Sequence, residues 1–159
     1  MTTLDRLDVS AVDAIAALCA RALDRPPSTP ELAATLFAPD QPTTVRGDPA
    51  VGVVAAVPSP EGGYIRLLVV DPAAQRKGNG TLLLQAAEAD LTNGRTEPTT
   101  ITVGADPPYY LFAGVETSQI SMLCLLERQR YFRHDANFNM DVDLSDLPPR
   151  PDEPVLAGP

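Results

Sequence analysis

The segment VVDPAAQRKGNG, Val69 to Gly80, lies between an apolar run and a leucine-rich run, and its reading decides the fold. The residues leading into it, Gly63 to Val70 (GYIRLLVV), are branched and apolar and predict a strand. Those that follow, Thr81 to Leu91 (TLLLQAAEADL), are strong helix formers, closed by Asn93-Gly94. Gln75 to Gly80 therefore occupies a strand-to-helix junction, where the first N–H groups lack partners within the helix and its dipole favours an anion. Gly78 and Gly80 place no Cβ in the way of a ligand, while Arg76 and Lys77 add positive charge. A pyrophosphate suits such a junction. The spacing matches neither a nucleotide-triphosphate loop nor Gly-x-Gly-x-x-Gly, and a helix start that binds nothing has the same pattern, so the segment alone leaves both readings standing.

Outward from this segment the chain alternates helices and strands. Ser10 to Asp13 has the form of a capping box, ahead of Val12, Ile15, Cys19 and Ala22 at helical spacing, which predicts a helix from Ala11 to about Asp24. Pro26 and Pro27 interrupt, and Thr29-Pro30 starts a second short helix carrying Leu32, Leu36 and Phe37. Ala50 to Val57 and Gly63 to Val70 read as antiparallel strands around the turn PSPEGG. Pro98 to Val103 is a further strand, Ser118 caps a last helix to about Tyr131, and Asn137 to Leu144 alternates as a half-buried strand. With a short strand near Thr3 to Leu7, the order predicts an α+β fold: a mixed, mostly antiparallel central sheet flanked by helices. Residues 1–144 form one domain, and the proline-rich residues 145–159 an extended tail or linker remnant.

The bulk numbers narrow the function. A chain of 159 residues, 44% hydrophobic, builds one core, and its net charge of −9 offers no basic face to nucleic acid or to an anionic membrane. No window has the apolar length of a membrane span and the first residues do not resemble a secretion signal, so a cytoplasmic protein is expected. Cys19 and Cys124 sit among apolar helical neighbours and read as buried free thiols. One histidine, His134, and two distant cysteines supply no metal-ligand pattern.

The stretch LLVVDPAAQRKGNGTLLL resembles the acyl-CoA-binding motif of the GNAT N-acyltransferase superfamily: Val70-Asp71-Pro72, Gln75, Gly78 and Gly80 fall in register with it. The order of elements is similar as well, over about residues 3 to 144. The loop PPYYLFAGV, Pro107 to Val115, resembles a bacterial subgroup with a Tyr-Leu-x-Pro-Gly-Val loop, with Ala113 in place of the proline. The resemblance implies acetyl-CoA as acyl donor. Its pantetheine arm would bond main-chain groups near Leu68 and Val70, and its pyrophosphate would rest on N–H groups from Gln75, Arg76, Lys77, Gly78, Asn79, Gly80 and Thr81. It also implies direct attack by an amine, small or protein-borne, and leaves a homodimer open.

The family's usual proton carriers are missing. Leu126 stands where many members have a tyrosine, and Arg66 and Leu67 stand where they carry a glutamate. Tyr109 and Tyr110, following the strand at Val103, are the candidates to replace the acid, since a phenol titrates near a thiol leaving group. Glu116 is placed on the acceptor side of the cleft or in solvent. The expected function is N-acetyl transfer to a primary amine; the alternative is a catalytically degenerate GNAT-fold module that binds CoA or a partner protein without turnover.

Overall fold

The computed structural model describes residues 4–96 and 100–134. The strand expected at Asn137 to Leu144 and the tail 145–159 lie outside them. Strands β1 (Thr44–Asp48), β2 (Gly52–Ser59) and β3 (Gly62–Val70) are successive antiparallel neighbours, and β4 (Thr100–Val103) joins β3 in parallel, giving the order β1-β2-β3-β4. This is the expected mixed sheet. The N-terminal strand is reduced to a bridge between Arg6 and Arg46, supported by Leu7 N–H on Val45 O at 2.9 Å and Gly47 N–H on Asp5 O at 3.0 Å.

The decisive irregularity lies in β3. Ala55 faces Leu67 and Ala56 faces Ile65, so Arg66 is the extra residue of a β-bulge. A regular strand would send Arg66 and Leu67 to opposite faces, because side chains alternate. The bulge lets Leu67 join the core on one face and Leu68 and Ile65 the core on the other, with Arg66 buried as well. It also bends β3 away from β4: the parallel pairing ends at Ile65 and Val103, with one last bond from Gly104 N–H to Ile65 O at 2.9 Å. Beyond that point the two strands part.

Helices close both faces. On one side α1 (Val12–Ala22) and α2 (Thr29–Leu36) bury Ile15, Leu18, Leu32 and Leu36 against Val45, Val53, Leu67 and Val69. On the other, α3 (Asn79–Thr92) and α4 (Ile120–Arg128) bury Leu83, Leu84, Ala87 and Leu126 against Val54, Ile65 and Leu68. The Arg46 guanidinium ties β1 to α3 through Asp90, at 2.6 and 2.9 Å.

The caps differ from the sequence reading at three helices; at α4 the N-cap is Gln119 with no side-chain cap, Ser118 Oγ donating instead to Glu116, and the helix ends at Arg128. Ser10 does not cap α1; Asp8 accepts from Ser10 N–H and Oγ at the head of a short 3-10 turn, Val9–Ala11, and these bonds hold its carboxyl below the ordinary range. The capping box belongs to α2, where Ser28 Oγ accepts from Glu31 N–H and Glu31 Oε2 accepts from Ser28 N–H at 2.8 Å. Glutamate reaches back where the shorter Asp13 does not.

Leu84 is fully buried between α3 and the sheet. Leu84→Ala should cost about 2–5 kcal/mol, read as a lowered midpoint in urea with an unchanged slope.

Candidate active site

A cleft of about 630 Å³ runs from the head of α3, along the end of β3, to the space between α1 and α4. Its inner end meets a small pocket of about 40 Å³ in the wedge where β3 and β4 part; Leu23, Leu68, Gln119 and Met122 line both. The bulge makes the wedge, and the strand end it frees faces the cleft.

The junction from Val69 to Gly80 folds as a strand end, a 3-10 turn at Pro72–Ala74, and α3 beginning at Asn79. Asp71 anchors it: its carboxylate accepts from Arg21 Nε at 2.8 Å and from Ala73 N–H at 2.9 Å, which lowers its pKa, the bond to Arg21 being the larger cause. Gly78 caps α3 with φ +87°, the left-handed region that favours glycine, and a Cβ there would meet open space. Gly80 is bare for another reason. A Cβ on it would approach Leu125 Cδ2 to 2.9 Å, so this glycine lets α4 pack against the head of α3.

Among the expected donor-site residues, Leu68, Val70, Gln75, Arg76, Gly78, Gly80 and Thr81 line the cleft. Lys77 and Asn79 do not: Lys77 Nζ donates to Ala73 O at 2.9 Å, and Asn79 Nδ2 donates to Ala74 O at 2.8 Å. Both brace the turn from outside. Among the described residues, the N–H groups of Arg76, Lys77, Gly78, Asn79, Gly80 and Thr81 have no protein acceptor; the first helical bond here runs from Leu82 N–H to Gly78 O. These six donors are not consumed by the fold.

The loop after β4 returns to the wedge. Ala105 N–H bonds Phe112 O at 2.7 Å, and Gly104 packs so closely on Gly114 that a Cβ on Gly104 would lie 2.7 Å from Gly114 Cα. That contact brings Val115 and Glu116 back to the wedge. Beneath the loop, Arg66 and Asp106 form an ion pair, each 1% exposed, with Arg66 Nε 2.6 Å from Asp106 Oδ2. Arg66 also donates to Thr35 O, Gln41 Oε1 and Thr43 Oγ1, so one guanidinium joins β3 to the end of α2, the linker before β1 and the β4 loop. Sequence reasoning registered Arg66 only as a missing carboxylate.

Neither Tyr109 nor Tyr110 is brought to the wedge or the cleft. The Tyr109 ring lies 5.1 Å from the Arg66 guanidinium carbon, and its hydroxyl donates to Asp40 at 3.2 Å; desolvation, then the Asp40 bond, raises its pKa. Tyr110 is 57% exposed. Leu126, aligned with the family's tyrosine, is in the core. Tyr131 bonds Glu88 Oε1 at 2.9 Å, and burial with that partner raises its pKa strongly.

Cys124 corrects the sequence reading. It is exposed and lines the cleft, whereas Cys19 is buried and its thiol is pushed up to about 11 by desolvation. The residues described contain no group of three metal-ligating side chains and no helix long and apolar enough to cross a membrane.

Comparisons with known proteins agree with this architecture. Residues 39–111 match the model of an acetyltransferase (GNAT) domain. Among solved structures, the ribosomal-protein-S18-alanine N-acetyltransferase of Escherichia coli aligns with TM-score 0.61 at 18% identity, over 81% of this chain and 76% of that one. The ribosomal-protein-alanine N-acetyltransferase of Brucella melitensis biovar Abortus 2308 aligns with TM-score 0.61 at 14% identity, over 89% and 100%. A glucosamine N-acetyltransferase region of a fungal multi-domain GH3 β-N-acetylglucosaminidase aligns with TM-score 0.63 at 24% identity, over 80% of this chain and 16% of that one. No curated protein sequence matches the chain. The fold is that of the GNAT acetyltransferases, and residues 39–111 carry the likeness to that family's domain.

Arg66→Met strands a buried carboxylate and should cost about 3–5 kcal/mol in urea unfolding, most of it recovered by adding Asp106→Leu. Iodoacetamide should label Cys124 and spare Cys19 in the native protein, and label both in urea, as read by peptide mass spectrometry.

Proposed function

We propose that this chain is an N-acetyltransferase that takes acetyl-CoA as acyl donor and a primary amine as acceptor. The carrying observation is the row of unclaimed N–H groups from Arg76 to Thr81 beside a cleft that ends in the β3–β4 wedge. A diphosphate needs several convergent donors, and the head of α3 supplies them with a favourable dipole. Arg76 adds charge at the cleft wall. From there to the wedge, the cleft follows Val70 and Leu68, the strand end left without a β4 partner, which suits an extended amide-bearing arm.

In this reading Leu68 and Val70 hold the pantetheine through their main-chain groups, and Gln75, Arg76, Gly78, Gly80 and Thr81 surround the diphosphate. Lys77 and Asn79 contribute backbone N–H groups while their side chains brace the turn. The bound thioester supplies an activated acyl carbon to the wedge. Leu67, Phe112 and Met122 give the wedge an apolar wall beside the acyl group. The structural neighbours described as N-acetyltransferases of protein and sugar amines support an amine acceptor without choosing between the two.

Acetyl-CoA should raise the melting temperature, by an amount equivalent to about 2.7 kcal/mol at one hundred times its Kd. Thr81→Glu places a carboxylate in the first turn of α3, where the helix dipole tolerates it and a diphosphate does not. The variant should keep or slightly raise the ligand-free melting temperature and lose the acetyl-CoA shift; a full shift would overturn the donor site.

A further inference from the structure

We infer that Glu116, in the loop that returns from β4 to the wedge, is the general base that takes the proton from the acceptor amine; this rests on the acetyl-transfer reading above. The wedge is lined mostly by apolar side chains, and among the described residues lining it only Arg66 and Glu116 are ionisable. The Arg66 guanidinium is a donor without an acceptor atom and is engaged by Asp106, Thr35, Gln41 and Thr43, so it does not serve as a base. Asp106 is buried beneath the loop and is not part of the lining. Tyr109 and Tyr110 are absent from the lining too. Within the wedge lining Glu116 is what remains; Asp24 is a carboxylate of the adjoining cleft and does not line the wedge.

Its position follows from the loop's closure. The Gly104–Gly114 contact and the bond from Ala105 N–H to Phe112 O seal the loop at its neck, so the chain resumes at Val115 beside Val103 and Leu68. The bond from Gln119 N–H to Glu116 O at 3.0 Å fixes the backbone of Glu116, while among the described residues its carboxylate accepts only from Ser118 Oγ, at 3.5 Å. Glu116 is exposed, and among the described residues no ion pair engages its carboxylate. A carboxylate held this way is available to an incoming ammonium.

Glu116 takes one proton from the ammonium, and the freed nitrogen lone pair forms the N–C bond at the thioester carbonyl while the C–S bond breaks. The second proton released by nitrogen ends on the departing sulfur, giving the thiol, and the proton on Glu116 passes to solvent.

The test compares two small nucleophiles of similar size near pH 7.5: methylamine, which is almost wholly protonated, and hydroxylamine, which is almost wholly neutral. CoA release from acetyl-CoA is measured for the wild type, Glu116→Gln and Glu116→Asp. A missing base should cut the methylamine rate of Glu116→Gln by about a hundredfold or more, leave the hydroxylamine rate nearly unchanged, and give Glu116→Asp an intermediate value. The acetyl-CoA melting shift should be the same in all three proteins. Equal losses with both nucleophiles, or no loss with methylamine, would overturn the assignment. A wild type with no acetyl-CoA shift would overturn the donor reading beneath it instead.

Discussion

One extra residue in β3 organises the molecule. Inserting Arg66 opposite Ala55 and Ala56 turns the strand, ends its pairing with β4 and leaves its last residues without a neighbour on that side. A sheet cannot normally abandon half of a buried edge, because unpaired backbone groups are costly away from water. Here the exposed edge becomes the wall of a cleft, where a polar ligand or water can satisfy it. The guanidinium that the bulge brings inside is in turn neutralised by Asp106 and held by three further acceptors, so the irregularity is stabilised by its own side chain.

The same residue links the two walls of the site. Arg66 reaches toward the end of α2 and the linker before β1 on one side, and toward the loop after β4 on the other. Asp106 Oδ1, buried and without a protein partner among the described residues, is the one unsatisfied side-chain atom in this network. A network of this kind specifies geometry more than it adds net stability, since much of the Coulomb attraction only offsets the desolvation of both charges. Its importance lies in setting where the loop carrying Glu116 closes.

The two glycines of the junction divide their work in a way their common chemistry conceals. Gly78 is bare because the backbone turns through a left-handed conformation at the cap of α3. Gly80 is bare because α4 leans on it through Leu125. The motif thus couples the donor loop to the helix that forms the opposite wall of the cleft. Likewise Lys77 and Asn79 are turned back to carbonyls of the preceding turn, which leaves the backbone N–H groups as the donors that remain.

The helices, the antiparallel pair β2 and β3 and the strand-to-helix junction were legible in the sequence, because local propensity, apolar periodicity and turn residues report directly on backbone conformation, whereas β1 at Thr44–Asp48 was not read as a strand. Helix starts were less legible: Ser10 and Ser28 look alike until the reach of Asp13 and Glu31 is compared in space. The register of β3 was not legible at all. A bulge shifts which face each side chain takes without altering composition, so Arg66 read as a defect in a familiar pattern rather than as the hub of a buried network. Only tertiary structure decided that Cys124 faces the cleft, that the tyrosines after β4 turn toward Asp40 and solvent, and that Glu116 returns to the wedge. The physical reason is that these positions depend on contacts between segments far apart in the chain, and no local pattern encodes a contact whose other half lies forty residues away.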